Sequence, residues 1–534
     1  MGRSSRVSCG GLLSKVPEPV RLIGNPEENF YVLGKKHQAA FLSLSKALFP
    51  DVSWRAKWQG LKNQLSRAES LVLPDNSWGR WLKAYCDGLE VTPTKYLEFL
   101  EKIEKGHFNR LVSGSTSIFR WDENHQVAEH LHLTDWPLAL HEGIELILVE
   151  APKEKKLLLN CLPGLAFLPL SAMNSEGLSL ALHAKYHDLH HPQGRPVSEA
   201  VIEGLLQATN VSELRRQLKS FQTQRLWGLH ALDAAGVMLV MDIAGPQLDV
   251  VTANMRDAKT LVFNNSPLVK NKERPSMEPP GFVEYCRLRR EWCLERLQKA
   301  FTEPALINLT RAHKLHRATS PAISLATIHA LSFSPAHHAL ELLNGDAPMW
   351  QQGKMIRWTN LFQTSMRNPE NLDFSFSKEE RHEWSVRHHF ALAQKFMDRK
   401  DITAAFHYMQ MSLAQAEGEL RSQCLWVWSY WQWQQLKTKR ERLVVYQQTT
   451  EVLRRTSVTH RQHVLFLRLM LEVDLSLSPT VTLAELSGVI QQWAEQYLRS
   501  SAQIREEWGQ KLDIRLDIKD IIAPQTWTNS TDLR

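Results

Sequence analysis

Gly114-Ser115-Thr116-Ser117-Ile118-Phe119-Arg120-Trp121 is the stretch on which the fold turns. A glycine opens it, hydroxyl residues follow, and Ser117 to Trp121 is a short β-rich run. Asp122-Glu123-Asn124-His125 comes next and has the composition of a turn. Asp135-Trp136-Pro137 then ends a second short strand. An antiparallel hairpin turning at Glu123-Asn124 would bring Asp135 back beside Ser115. A surface hairpin has the same pattern, so the hydroxyl and the carboxylate gain meaning only from their surroundings.

Outward from this hairpin, short apolar runs broken by turns continue to about residue 360. Ile144 to Glu150, Leu178 to Leu182 and Gly236 to Met241 fit strands. Amphipathic helical spacing intervenes at 197–221 and 282–301. Strands alternating with helix pairs predict an α+β unit, a mixed sheet flanked by helices. Upstream, residues 35–110 read as helical. Downstream, the pattern is helical from about 376 to 510, after a polar, turn-rich stretch at 365–376 that suits a linker. His389 to Phe396 and Asp401 to Ala414 look like one helix-turn-helix of a tetratricopeptide-type repeat, without three clear copies. Trp426, Trp428, Trp431 and Trp433 suit inter-helix packing, with a peptide groove as the alternative. The tail from Pro524 is expected to fray.

Composition narrows the classes. The chain has 534 residues, 43% hydrophobic and 23% charged, which suits a few domains of roughly 150 residues each. A net charge of +7 is modest for this length and argues against a nucleic-acid binder. No apolar run approaches the roughly 20 residues of a membrane helix. Cys9, Cys86, Cys161, Cys286, Cys293 and Cys424 are too sparse for a disulfide scaffold and lack zinc spacing. Val7-Ser8-Cys9-Gly10 looks like the end of a bacterial lipoprotein signal without its apolar part, with Arg6 where such signals have leucine. A periplasmic or secreted setting follows if a signal precedes this start, and a cytoplasmic one otherwise.

The order of motifs resembles the N-terminal-nucleophile (Ntn) hydrolases related to acyl-coenzyme A:6-aminopenicillanic-acid acyltransferase, the peptidase C45-like group, with bile salt hydrolase and acid ceramidase. The family's Gly-Cys-Thr-Ser start is similar to Gly114-Ser115-Thr116-Ser117, and its Gly-Arg-Asn-x-Asp-Trp-Pro to Leu131-His132-Leu133-Thr134-Asp135-Trp136-Pro137. Pro163-Gly164, Ala172-Met173-Asn174-Ser175-Glu176-Gly177-Leu178, Asp233 to Gly236 and Phe263-Asn264-Asn265-Ser266-Pro267 match later motifs in order. Ser334-Pro335 through Asn344-Gly345 resembles the late strand, and Gly24 to Gly34 the propeptide motif. The resemblance covers roughly residues 20–360.

It implies a four-layer αββα sandwich over 115–365, a helical propiece at 1–114, and self-cleavage at Gly114–Ser115. The helical C-terminal region at 376–523, with a tetratricopeptide-like arrangement as its expectation, and the tail at 524–534 stand outside it. Ser115 would be the nucleophile and its freed α-amine the base. Asp135 would orient the amine, and Asn265 would donate to the oxyanion. Asn174 and His183 are weaker pocket candidates. The implied chemistry is hydrolysis of an amide, or acyl transfer. No cofactor is implied, and an acyl-coenzyme A would enter only as substrate. The substrate would be a small molecule or peptide, and the C-terminal helices could engage a protein partner.

Three positions depart from the pattern. Serine replaces cysteine at 115, which demands more activation. His132 stands where the family has arginine, and a mostly neutral imidazole is no substitute for a permanent cation. His183 stands where bile salt hydrolases carry a second asparagine. A fold kept without catalysis, serving as an interaction platform, is the rival expectation. His183, His187, Asp188, His190 and His191 form a dense group, read as a solvated or substrate-facing loop with a metal site as the alternative. Lys437, Lys439, Arg440 and Arg442 read as a solvated helix end.

Overall fold

The computed structural model describes residues 18–48, 73–102, 114–135, 144–185, 194–244, 247–266, 268, 280–297, 304–310, 327–344, 354–363, 369–373, 378–398, 400–436, 438–455, 458–486, 488–511, 513–514 and 521–522. Cys9 and the basic N-terminus, Trp136-Pro137, His187 to His191, Pro267, Lys437 and the tail lie outside them.

The decisive stretch is a hairpin. Strands β2 (Gly114–Asp122) and β3 (Val127–Asp135) pair antiparallel, with Gly114 opposite Asp135 and Ser115 opposite Thr134. The Asp122 carboxylate accepts the Asn124 N–H at 2.8 Å, and Gln126 takes a left-handed φ of 55°. Short polar residues close such turns through their own side chains.

Two large sheets follow. The seven-stranded one runs β11-β2-β3-β12-β13-β14-β15, placing the hairpin near one edge. Its other members are β11 (Thr260–Phe263), β12 (Thr327–Ser334), β13 (Ala339–Asn344), β14 (Lys354–Trp358) and β15 (Glu370–Asp373). The eight-stranded sheet runs β1-β4-β5-β6-β7-β8-β9-β10. These are β1 (Val20–Ile23), β4 (Glu145–Glu150), β5 (Leu157–Cys161), β6 (Ser171–Asn174), β7 (Ser179–Ala184), β8 (Trp227–Leu232), β9 (Val237–Ala244) and β10 (Gln247–Asn254). β1 pairs parallel to β4 and every other neighbour is antiparallel.

Side chains alternate across each strand, and the apolar clusters follow that alternation. Leu146, Leu148, Leu158 and Met173 of the eight-stranded sheet pack with Leu331, Phe333, Leu340 and Ile356 of the seven-stranded sheet. Leu157, Leu159, Leu180, Leu229 and Met241, on the opposite face, pack with the helices Pro26–Leu48, Ser77–Leu89 and Val197–Gln207. Ile118, Leu131 and Leu133, on the outer face of the seven-stranded sheet, pack with Trp292, Cys293 and Leu297 of the helix Pro280–Leu297.

Two boundaries differ from the sequence reading. The segment read as a helical propiece supplies β1, and its Phe30, Phe41, Trp78, Trp81, Tyr85 and Tyr96 lie in the main core with Phe167 and Leu159. The stretch read as a linker contains β15, which extends the sheet to Asp373. Beyond it, helices from Lys378–Asp398 to Ala502–Lys511 pack around their own core. Trp426, Trp431 and Trp433 are buried in that core, and Trp428 packs on Phe406 at 4.6 Å between ring centres. That is the packing role, with the rings turned inward. Among the described residues, no helix is long and apolar enough to cross a membrane.

Candidate functional site

The start of β2 is held from both sides. Ser115 is buried, and its backbone N–H donates to Asn265 Oδ1 at 2.6 Å. Asn265 Nδ2 donates in turn to the Ala184 carbonyl at 2.6 Å. The residue expected to donate to an oxyanion is thus used the other way round in the uncut chain. Its oxygen faces Ser115, and an amide hydrogen is committed to β7. On the other face of β2, the Thr116 hydroxyl donates to Asn264 Oδ1 at 2.9 Å, and Asn264 Nδ2 reaches the Cys286 carbonyl at 2.5 Å. The adjacent asparagines therefore straddle the strand.

A buried lysine braces their loop. Lys185 Nζ donates to the carbonyls of Asn264 and Ser266 at 3.1 and 3.0 Å and sits 3.3 Å from Asp242. The second Asp242 oxygen accepts the Leu268 N–H at 2.6 Å. Neither stood out in the sequence: Asp242 is a single charged residue within the apolar strand β9, and Lys185 follows directly after β7.

Asp135 points to the outer face, as its spacing from Leu131 and Leu133 requires. Arg289 holds it with both terminal guanidinium nitrogens, Nη2 at 3.1 Å, and the Thr327 hydroxyl donates to it at 2.6 Å. His132 is three residues away on the same strand and therefore points inward, away from Asp135. No pairing between the family's arginine position and this carboxylate is built on β3. The guanidinium comes from a helix instead.

The inner face carries the main surprise, five fully buried histidines on four strands: His130 and His132 on β3, His183 on β7, His230 on β8 and His329 on β12. Ser117 Oγ lies 2.8 Å from His183 Nε2 and 3.1 Å from His130 Nε2. Ser179 settles the proton positions. Its hydroxyl donates to the Leu232 carbonyl at 3.1 Å, so it accepts from His130 Nδ1–H at 3.1 Å. His130 Nε2 must then accept from Ser117, and Ser117 accepts from His183 Nε2–H. This assignment leaves His183 Nδ1 a bare lone pair without a partner. Asn160 Nδ2 donates to His329 Nδ1 at 2.7 Å, which puts the His329 proton on an unpartnered Nε2. His183 stacks on His230 at 3.6 Å between ring centres, and His132 lies 5.3 Å from His183.

Burial keeps these rings neutral. It pushes the pKa of His130 and His329 down to about 3. His132, His183 and His230 are held well below the usual range, first by burial. Neighbouring imidazoles come next for His132 and His183, ahead of Arg289 and Lys185 respectively, whereas Lys185 comes next for His230, ahead of the imidazoles. Sequence reading singled out His132 and His183 and missed His130, His230 and His329. Only the 130/132 alternation was visible along the chain, since the other rings come from strands far apart in sequence.

Asn174, a weaker pocket candidate, is tied into the turn between β6 and β7 and to the helix Val197–Gln207. Its Nδ2 donates to the Leu205 and Ala208 carbonyls at 2.8 Å each, and its Oδ1 accepts the N–H groups of Glu176 and Leu178. The turn it locks needs Gly177. Its φ is +74°, and a Cβ there would meet the Pro335 carbonyl oxygen at 2.6 Å. Among the described residues, no group of three or more His, Cys, Asp or Glu is arranged to hold a metal ion.

No family model matches the chain, and no curated protein matches its sequence. Among solved structures, its fold is similar to that of penicillin V acylase from Agrobacterium tumefaciens, with a TM-score of 0.30 and 11% identity, over 49% of this chain and 100% of that one. At that score and identity the likeness assigns neither family nor activity.

Proposed function

We propose that the two-sheet unit running from β1 to β15 is an Ntn-type domain of four-layer αββα architecture that cuts its own chain at Gly114–Ser115 and then acts on the C–N bond of an amide. The observation that supports this is the convergence on one peptide. Ser115 is the second residue of β2, Asn265 grips its N–H, and Asp135 lies opposite Gly114. In the first step Ser115 Oγ attacks the Gly114 carbonyl carbon. The Gly114–Ser115 C–N bond breaks, the acyl group passes to oxygen, and the hydroxyl proton ends on the new α-amine. Water hydrolyses that ester and releases the Gly114 carboxylate.

The freed amine, with a pKa of about 7.7–8.0 in the unperturbed case, is partly unprotonated at neutral pH. It takes the Ser115 proton as Oγ attacks the substrate carbonyl and hands it to the leaving nitrogen. Water, or another nucleophile in acyl transfer, resolves the acyl-serine. Asn265 Oδ1, already on the Ser115 nitrogen, would hold the amine, with one amide hydrogen left for the oxyanion.

A second reading is favoured by His132. A buried neutral ring stands where the resemblance expects a cation, which suits a catalytically silent Ntn-like platform carrying its partner on the C-terminal helices. Intact-mass measurement under denaturing conditions, beside Ser115→Ala, separates the two. Two wild-type fragments meeting at Gly114–Ser115, with the variant uncut, support the enzyme. A wild-type chain persisting at 61.4 kDa sinks it and leaves the platform.

A further inference from the structure

An open sheet has two edges, and each edge strand carries unpaired N–H and C=O groups that invite another strand. The two large sheets have four edges between them. Three of these are very short: β1, β11 and β15 have four residues each. The fourth, β10, has eight residues, and all eight pair in unbroken register with β9. Among the described residues, no strand pairs with its other edge. Its sequence, Gln247-Leu248-Asp249-Val250-Val251-Thr252-Ala253-Asn254, has one charge. It has no lysine, proline or bulge of the kind that guards an edge. Asp249, Val251, Thr252 and Asn254 are exposed, Val251 at 38%. Val250 turns to the helix-covered face and packs on the main core.

We infer that β10 is the docking edge for β10 of a second copy of this chain, paired antiparallel about a two-fold axis at Val251. A two-fold axis normal to the sheet leaves every side chain on its own face, so only residues of the same alternation can meet. Centred on Val251, the register sets Val250 opposite Thr252, Asp249 opposite Ala253 and Leu248 opposite Asn254. No like charges meet, and the exposed valine covers its own copy in a β-branched pair that favours the sheet. Centring on Val250 would instead set Val251 against the Asp249 carboxylate and bring the two carboxylates closer together. Growth stops at two copies, because the contact is isologous and uses up β10 on both sides. β9 and β10 both follow Gly114–Ser115 in the chain, so the dimer needs no cut.

Sedimentation velocity of the full-length protein over a hundredfold concentration range should show a particle of twice 61.4 kDa that dissociates on dilution. Val251→Lys sets two ammonium groups face to face on the axis. It should weaken the dimer at least about tenfold and leave circular dichroism and melting temperature unchanged. Val251→Cys should crosslink under oxidant, since residues directly opposite lie about 4.5–5.5 Å apart between Cα atoms. Val250→Cys should not, since its two copies are diagonal neighbours about 7–8 Å apart. Wild type reports any crosslinking through the native cysteines. If Val251→Lys loses its fold, the two cysteine variants decide. A wild type that stays at 61.4 kDa throughout overturns the inference. So does a dimer that survives Val251→Lys, or one that crosslinks no better at Val251→Cys than at Val250→Cys, because it must use another face or another register.

Discussion

Acid should dismantle the two-sheet core well above the pH at which carboxylates titrate. Five buried histidines stay neutral in the folded chain, two of them down to about pH 3. In the unfolded chain each titrates near its ordinary value of about 6.5. Below that pH the unfolded state binds more protons, so stability falls as pH falls. Each ring contributes a loss of about 2 kcal/mol by pH 5, or about 10 kcal/mol for the five. Glu129 works against this. Burial raises its carboxyl to about 7, so the folded state gains a proton first and recovers about 2–3 kcal/mol by pH 5. The net loss between pH 7.5 and 5 is then about 7 kcal/mol, as much as the whole stability of many domains. Urea unfolding at pH 7.5, 6.0 and 5.0, followed by tryptophan fluorescence and far-UV circular dichroism, measures it. His230→Phe keeps a ring against His183 and should remove about a fifth of the histidine term. A stability loss under about 2 kcal/mol over this range, or a pH slope unchanged in His230→Phe, would refute the reasoning.

Asp135→Ala leaves Arg289 buried beside an empty position and should cost about 3–5 kcal/mol by thermal denaturation, more than Thr327→Val does. Asn174→Ala removes two hydrogen bonds within the β6–β7 turn and two that tie it to the end of the helix Val197–Gln207. It should cost about 2–4 kcal/mol in urea without changing the KM of any amide substrate the protein accepts. Trp431→Ala opens the C-terminal core and should cost about 3–5 kcal/mol there. Hydrogen exchange should show that loss over the helices Gly418–Gln435 and Val458–Asp474, with β2 and β3 still protected.

The hairpin was legible because its information is local. Asp122 makes the turn, and the register follows from its length. The apolar runs of β4, β7 and β9 were equally local. Asn265 could be named from its motif, but its orientation could not, because the Ala184 carbonyl that turns it lies on another strand. The same holds for Arg289, one of several basic residues in a helix whose apolar pattern gives no clue to which of them is buried. The histidine cluster was illegible for a third reason. Its members are spread over four strands, and only the pairing order of both sheets brings them together. The hydrogen bonds of Asn174 were illegible too, because hydrogen bonding within a turn and contact with a ligand favour the same residue type.

The placement of residues 18–48 and 73–102 bears on what a cut would leave behind. β1 is hydrogen-bonded along β4, and the helices after it bury their aromatic rings against the eight-stranded sheet. Scission at Gly114–Ser115 would break one covalent link and none of that packing. The amino-terminal piece would remain as a resident subunit and would not depart as a spent leader. The matured protein would be a two-chain heterodimer that elutes from a sizing column as one particle and separates only in denaturant. Its two halves would share one melting transition.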